Sequence, residues 1–196
     1  MRSRVAVRLS VLSMLCLVPT SAGATPILNG SFEEHGFASW TVNTPSPGSL
    51  LFEGAGGHSG HSAAWFGSIS GVDDSITQTF ATTPGEPFAI AFWLAHDLTD
   101  HANDFRIWWN GTLLGQLVNA GSFGYTRMSY VGTANGPTSS LTFGGRDVLG
   151  YYRLDDVDVH SLAATPEPST FVLLASAALF ALVIRLRFRK RTMSQV

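Results

Sequence analysis

The chain of 196 residues has a single cysteine, Cys16, and it lies inside the apolar run Leu9 to Val18 near the N-terminus. A form that loses that run has no thiol, which excludes disulfides and thiolate metal sites and leaves core packing to hold the fold. Charge is scarce too, at 13% of residues, and the only lysine is Lys190. Between Thr25 and Thr165 there are thirteen Asp and Glu against four Arg (Arg106, Arg127, Arg146, Arg153), a net charge of −9. Such a body repels phosphate backbones, so nucleic acid is excluded as a partner. The 20 glycines show no triplet period and accompany 13 Phe and 5 Trp, which excludes collagen-like and disordered chains. Between Thr25 and Ala163 no segment sustains a 3.6-residue period for three turns. G-x-S-x-G, H-E-x-x-H and the P-loop pattern are all missing, and nothing else pairs a nucleophile with a base, so the chain reads as a non-enzyme. One domain with terminal accessories is what this length accommodates.

The two ends have a different character from the body. Residues 1–24 have Arg2, Arg4 and Arg8, then the apolar run, then Pro19 and Ser21-Ala22-Gly23-Ala24, the layout of a secretory signal peptide cut after Ala24. The apolar run is about half the ~20 residues that a membrane span needs, which favours cleavage over a retained anchor. At the other end Ser169 and Thr170 lead into an uncharged apolar stretch to Ile184, followed by Arg185, Arg187, Arg189, Lys190 and Arg191. A membrane helix over about 169–188 is expected, with the Arg-rich tail of 185–191 on the cytoplasmic side and the acidic body outside.

Pro166-Glu167-Pro168, the apolar stretch and the Arg-rich tail, in that order over 164–191, resemble the PEP-CTERM sorting signal of Gram-negative bacteria. The resemblance implies an exosortase as processing partner, a membrane transpeptidase resembling cysteine proteases, with cleavage near the Pro-Glu-Pro. It also implies an exported protein, anchored in the membrane by its C-terminal helix before processing and then delivered to the cell surface or extracellular matrix.

From Thr25 to Ala163 short apolar runs are separated by Gly, Pro, Asn and Ser about every ten residues, which predicts an all-β domain over 25–163. Strands are expected at Ile27 to Glu33, Trp40 to Asn43, Leu50 to Glu53, Ala63 to Phe66, Ser75 to Ala81, Phe88 to Ala95, Asp104 to Trp109, Leu113 to Val118, Tyr125 to Val131, Ser139 to Phe143 and Tyr152 to Val159. Phe88 to Ala95 is apolar on both faces and belongs inside a sheet. Asn110-Gly111 between two runs signals a tight hairpin.

Asn29-Gly30-Ser31-Phe32-Glu33, Gly36-Phe37-Ala38-Ser39-Trp40 and the closing Leu154-Asp155-Asp156-Val157-Asp158-Val159 resemble the frame of jelly-roll, galactose-binding-like and carbohydrate-binding modules. The resemblance implies a two-sheet antiparallel sandwich with first and last strands side by side, and a structural calcium held by Glu33, Asp155 and oxygens near Asn29. Alternation along the closing strand puts Asp155 on the face of Val157 and Val159. The alternative for these acids is a solvated rim.

Two histidine groups are candidate metal donors. His58 and His61 lie in a glycine-rich stretch, and His96 stands with Asp97, Asp100, His101 and Asp104; neither has the spacing of a closed ligand set. Trp40, Trp65 and Trp93 read as core. Trp108 shares parity with Arg106 and Asn110, and an indole facing outward beside them would stack on a sugar ring; the alternative, which the usual burial of large aromatics favours, is an aromatic under a loop or in a second face of the core. The expected role is an exopolysaccharide-associated structural or adhesive one, with a carbohydrate-binding module as the alternative and a glycan hydrolase behind both.

Overall fold

The computed structural model describes residues 27–163 apart from 46, 70 and 99–101, together with 176 and 179. The signal peptide, Pro166-Glu167-Pro168 and the tail from Arg185 lie outside the described residues, as does the membrane helix except for Ser176 and Leu179. Among the described residues no helix is long and apolar enough to cross a membrane.

Ten strands form two antiparallel five-stranded sheets. They are β1 (Thr41–Asn43), β2 (Leu51–Ala55), β3 (Ser62–Phe66), β4 (Asp74–Ala81), β5 (Pro87–His96), β6 (Asn103–Trp109), β7 (Thr112–Val118), β8 (Phe123–Thr133), β9 (Thr138–Asp147) and β10 (Tyr152–Ser161). Sheet A has the order β1-β4-β9-β6-β7, and sheet B the order β2-β3-β10-β5-β8. The two-sheet sandwich expected from the apolar rhythm is therefore present, and ten of the eleven expected strands have a counterpart. β5 lies between β10 and β8, as a strand apolar on both faces requires.

Alternation fills the space between the sheets. Phe88, Ile90, Phe92 and Leu94 of β5 point inward against Phe105, Ile107 and Trp109 of β6 and Leu141 and Phe143 of β9, all buried. Each such side chain contributes about 1.5–3 kcal/mol on leaving water. The β6–β7 hairpin turns on Asn110 (φ 49°) and Gly111 (φ 76°), the paired positive φ angles that Asn-Gly tolerates. The side chain of Asn110 then ties the turn to β9: Ser140 N donates to its Oδ1 at 2.8 Å, and its Nδ2 donates to Ser139 Oγ at 3.2 Å.

The N-terminal segment departs from the expectation. Ile27 to Glu33 is a turn, with positive φ at Asn29 (48°) and Phe32 (54°). Three aromatics, Phe32, Phe37 and Trp40, are all buried here, and a loop can deliver all three where an extended strand would carry Phe37 away. The Asn29 side chain closes the loop, donating to the carbonyls of Glu34 and Ala38 and accepting from Glu34 N. First and last strands are thus in different sheets, and the loop itself lies beside β10. Val157 N donates to Gly30 O at 2.8 Å, and a Cβ on Gly30 would come within 2.1 Å of Val157 O.

β10 carries a bulge between Asp155 and Asp158, with Asp156 at φ 48°. The extra residue resets the alternation. Asp155 pairs with Trp93 on the outer face of sheet B, while Val159 pairs with Ile90 on the core face, so Asp155 does not share the inward face expected of it.

Candidate functional site

The outer face of sheet A is built from the residues that alternate with the core. Trp108 of β6 lies beside Thr142 of β9, which pairs with Thr77 of β4 and that in turn with Thr41 of β1, giving a row of three threonines leading away from the indole. Thr77 Oγ1 and Thr142 Oγ1 are hydrogen-bonded at 2.9 Å. In the next row Arg106 faces Gly144, and a Cβ on Gly144 would meet the Trp108 ring at 2.8 Å, so the glycine makes room for the indole. Trp108 is half-buried there, as its parity with Arg106 predicts.

Arg106 is held tightly. Its Nη1 donates to Asp73 Oδ2 at 2.6 Å and its Nη2 to Asp104 Oδ2 at 2.5 Å, while Gln116 Nε2 reaches the same Asp104 oxygen at 3.0 Å. Arg146 adds a contact to Asp73 at 3.3 Å. Burial pushes the Asp73 carboxyl above its ordinary range against the pull of Arg106, and Asp104 adds to the rise. The guanidinium therefore braces the start of β4, through Asp73, against β6. Asn110 is likewise engaged, at the hairpin, and Trp108 is the member of the expected trio whose ring stays open.

Trp65 and Trp93 correct the expectation that they belong to the core: both lie on the outer face of sheet B. There the rings cover one another. Phe52 stacks on Trp65 (5.6 Å, 17°), Tyr151 meets Trp65 edge-on at 5.2 Å, and the Arg153 guanidinium lies 5.2 Å from Trp65 and 5.6 Å from Tyr125. His58 stacks on Trp93 at 3.8 Å and 12°. The Tyr125 hydroxyl donates to Gly56 O, and burial pushes its pKa up to about 12. With Trp40 stacked on Phe32 and Trp109 packed against Phe80 and Phe88, four of the five tryptophans have ring partners and Trp108 has none among the described residues.

Glu33 and Asp155 both reach the loop between β2 and β3. Glu33 Oε1 accepts from His61 N at 2.7 Å and Ser62 N at 2.8 Å, and these amides, Ser62 first, lower its pKa below the ordinary 4.5. Asp155 Oδ2 accepts from His58 N at 2.6 Å and Ser59 N at 3.0 Å, but burial outweighs them and raises its pKa. The loop is thus pinned at both ends by carboxylates. Amide hydrogens point at the oxygens a calcium ion would need, and Asn29 is spent on its own loop. Among the described residues no group of three or more metal-ligating side chains gathers. The two carboxylates act as an amide clamp on the loop.

The histidines have partners of their own. His58 Nδ1 lies 2.7 Å from Asp156 Oδ2. His96 is buried at the end of β5, 2.8 Å from Asp147 and stacked on Tyr152, so it belongs to the interior and not to a polar loop with Asp97. Asp97 pairs with Arg153 at 2.5 Å, and Asp100 and His101 lie outside the described residues. Between the sheets, a cavity of about 10 Å³ lined by Phe92, Phe105, Gly115 and Tyr130 has space for one water at most.

The sandwich is similar to several solved domains. It matches the K3 cleaved adhesin domain of Lys-gingipain from Porphyromonas gingivalis with a TM-score of 0.55 at 15% identity, over 70% of this chain and 100% of that one. It matches TmCBM61, solved in complex with β-1,4-galactotriose, with a TM-score of 0.54 at 13% identity, over 69% of this chain and 97% of that one. The enzymatically active domain of bacteriophage CBA120 tailspike protein 4 gives 0.53 at 15% identity over 69% of this chain, which spans 21% of the tailspike chain. No family model and no curated sequence matches. The fold is that of the two-sheet sandwiches found in carbohydrate-binding modules.

Proposed function

We propose that the chain is a non-catalytic glycan-binding module of the cell surface or extracellular matrix, and that a sugar stacks on Trp108 across the outer face of sheet A. The observation that carries this reading is the open indole. Four tryptophans are covered by rings or a cation, and the fifth stands beside a row of threonine hydroxyls. A sugar presents an apolar C–H face to the ring and hydroxyls to the row. With the body at −9, a neutral or cationic glycan is favoured. Asp73 and Asp104 are bridged by Arg106, an arrangement suited to bracing rather than to acid and base chemistry. Delivery through a signal peptide ending at Ala24 and exosortase processing near Pro166-Glu167-Pro168 complete the proposal.

The test is binding of the full chain, in mild detergent, to immobilised neutral polysaccharides, compared with Trp108→Ala. Loss in the variant with an unchanged melting temperature supports the reading. Equal binding by both removes the stacking site, and no binding by either leaves the structural or adhesive role. Intact mass of surface material separately tests processing: a mature form that keeps Arg185 to Val196 in a strain with active exosortase contradicts it.

A further inference from the structure

Asn-Gly occurs three times in the chain, at Asn29-Gly30, Asn110-Gly111 and Asn135-Gly136. The pair is chemically labile because glycine has no Cβ to shield its amide nitrogen, which can reach the side-chain carbonyl carbon of the residue before it. The remaining asparagines, Asn43, Asn103 and Asn119, precede Thr44, Asp104 and Ala120, whose Cβ atoms hinder that approach.

The three pairs differ in how the fold holds them. Asn29 Nδ2 donates to the carbonyls of Glu34 and Ala38, and its Oδ1 accepts from Glu34 N. Asn110 Oδ1 accepts from Ser140 N at 2.8 Å, and its Nδ2 donates to Ser139 Oγ at 3.2 Å. Both side chains are half-buried and fixed at nitrogen and oxygen alike. Asn135, in the loop between β8 and β9, is exposed, and its side chain has no hydrogen-bond partner among the described residues. The Gly136 amide has none there either. Only the neighbouring backbone is tied: Ala134 N donates to Glu86 O at 2.9 Å, Gly85 N to Ala134 O at 2.8 Å, and the Thr82 hydroxyl to Gly136 O at 3.0 Å.

We infer that Asn135 is the deamidation site of the folded protein, with Asn29 and Asn110 protected by the hydrogen bonds that hold their turns. Gly136 N, having given its proton to solvent base, attacks Asn135 Cγ. The new N–Cγ bond closes a five-membered succinimide, the Cγ–Nδ2 bond breaks, and Nδ2 leaves as ammonia with a proton from water. Water then opens the ring at either carbonyl to give aspartate or isoaspartate. The net exchange is water in and ammonia out, one amide for one carboxylate, with no oxidation or reduction. It takes the net charge of the body from −9 to −10. The isoaspartate form also adds a methylene to the backbone between Ala134 and Gly136, the residues tied to the 82–86 loop.

The inference is independent of glycan binding. The full chain, in mild detergent, is aged in mildly alkaline buffer and followed by isoelectric focusing, with peptide mapping to locate each converted asparagine. The expected result is an acidic shift of one charge that maps to Asn135 and is at least about tenfold faster than conversion at Asn29 or Asn110, whose hydrogen bonds must open first. Gly136→Ala, whose added Cβ would meet nothing nearer than Thr138 O at 3.9 Å, should suppress the shift without disturbing the loop. In the urea-unfolded chain, which needs no variant to fold, the three pairs should convert at similar rates. Equal rates in the folded chain overturn the inference, as does conversion led by Asn29 or Asn110. So does a folded Asn135 that stays intact over the time in which the unfolded chain converts, or a shift that survives Gly136→Ala undiminished.

Discussion

The outer faces of the two sheets contain the same kind of residue and use it in opposite ways. On sheet B, Trp65 and Trp93 are roofed by Phe52, Tyr151, Arg153 and His58, and the loop of residues 56–61 is strapped down over them by Asp155, Asp156 and Glu33. On sheet A, Trp108 lies over a glycine beside threonines, with no ring stacked on it among the described residues. An exposed aromatic is thus not defined by its strand or parity alone. The neighbours that arrive from loops decide whether it is a ligand platform or a structural pin.

The largest effect that tests this contrast is expected at Asp155. Asp155→Ala removes a fully buried carboxylate and leaves the amides of His58 and Ser59 without an acceptor, a loss of about 3 kcal/mol of stability. Denaturant melts read the loss, and quenching of Trp93 fluorescence should rise as the strap loosens. A neutral outcome would mean that the strap is not what covers sheet B.

Next in size is the pair Trp108→Ala and Trp93→Ala. The first should weaken glycan binding at least tenfold, about 1.4 kcal/mol, with the melt unchanged; the second should lower the melt and leave binding intact. A reversal of the two, measured by titration against one polysaccharide, would exchange the roles of the faces.

A smaller effect comes from acid. Glu33 has a folded pKa below its ordinary 4.5, so its clamp is fully present above that value and is lost as pH falls through the folded pKa. Asp155 has the opposite sign, raised above 3.8, so its titration contributes stability below 3.8 that is lost as pH rises through its folded pKa. Glu33→Gln should therefore flatten the acid limb of the stability profile below about pH 4.5, and an unaltered limb would show that Glu33 does not clamp the loop.

The smallest is chelation. Because amides already satisfy Glu33 and Asp155, a chelator should leave the melting temperature unchanged. A drop that Asp155→Asn abolishes would restore calcium to the site.

Much of the fold was legible because short-range rules governed it. Asn110-Gly111 marks its hairpin through φ alone, and the alternation of Phe88, Ile90, Phe92 and Leu94 marks a core face through a two-residue period. The half-buried position of Trp108 followed from the same parity. Parity fails where a residue is inserted: nothing in Leu154-Asp155-Asp156-Val157 announces a bulge, so alternation alone puts Asp155 on the wrong face. Trp65 was misplaced for a related reason, since in Ala63-Ala64-Trp65-Phe66 both faces are apolar and alternation does not say which one is inside.

What the sequence determined by itself is the rhythm: an acidic, thiol-free body of about ten strands with one hairpin fixed by its turn residues, because backbone φ and the two-residue period are local properties. What only the tertiary structure decided is availability. That Arg106 is locked between Asp73 and Asp104, that His58 caps Trp93 and that Trp108 is left open all depend on residues up to 98 positions apart meeting across strand pairings. The cost of burying a charge or a polar group is settled only when those distant partners arrive.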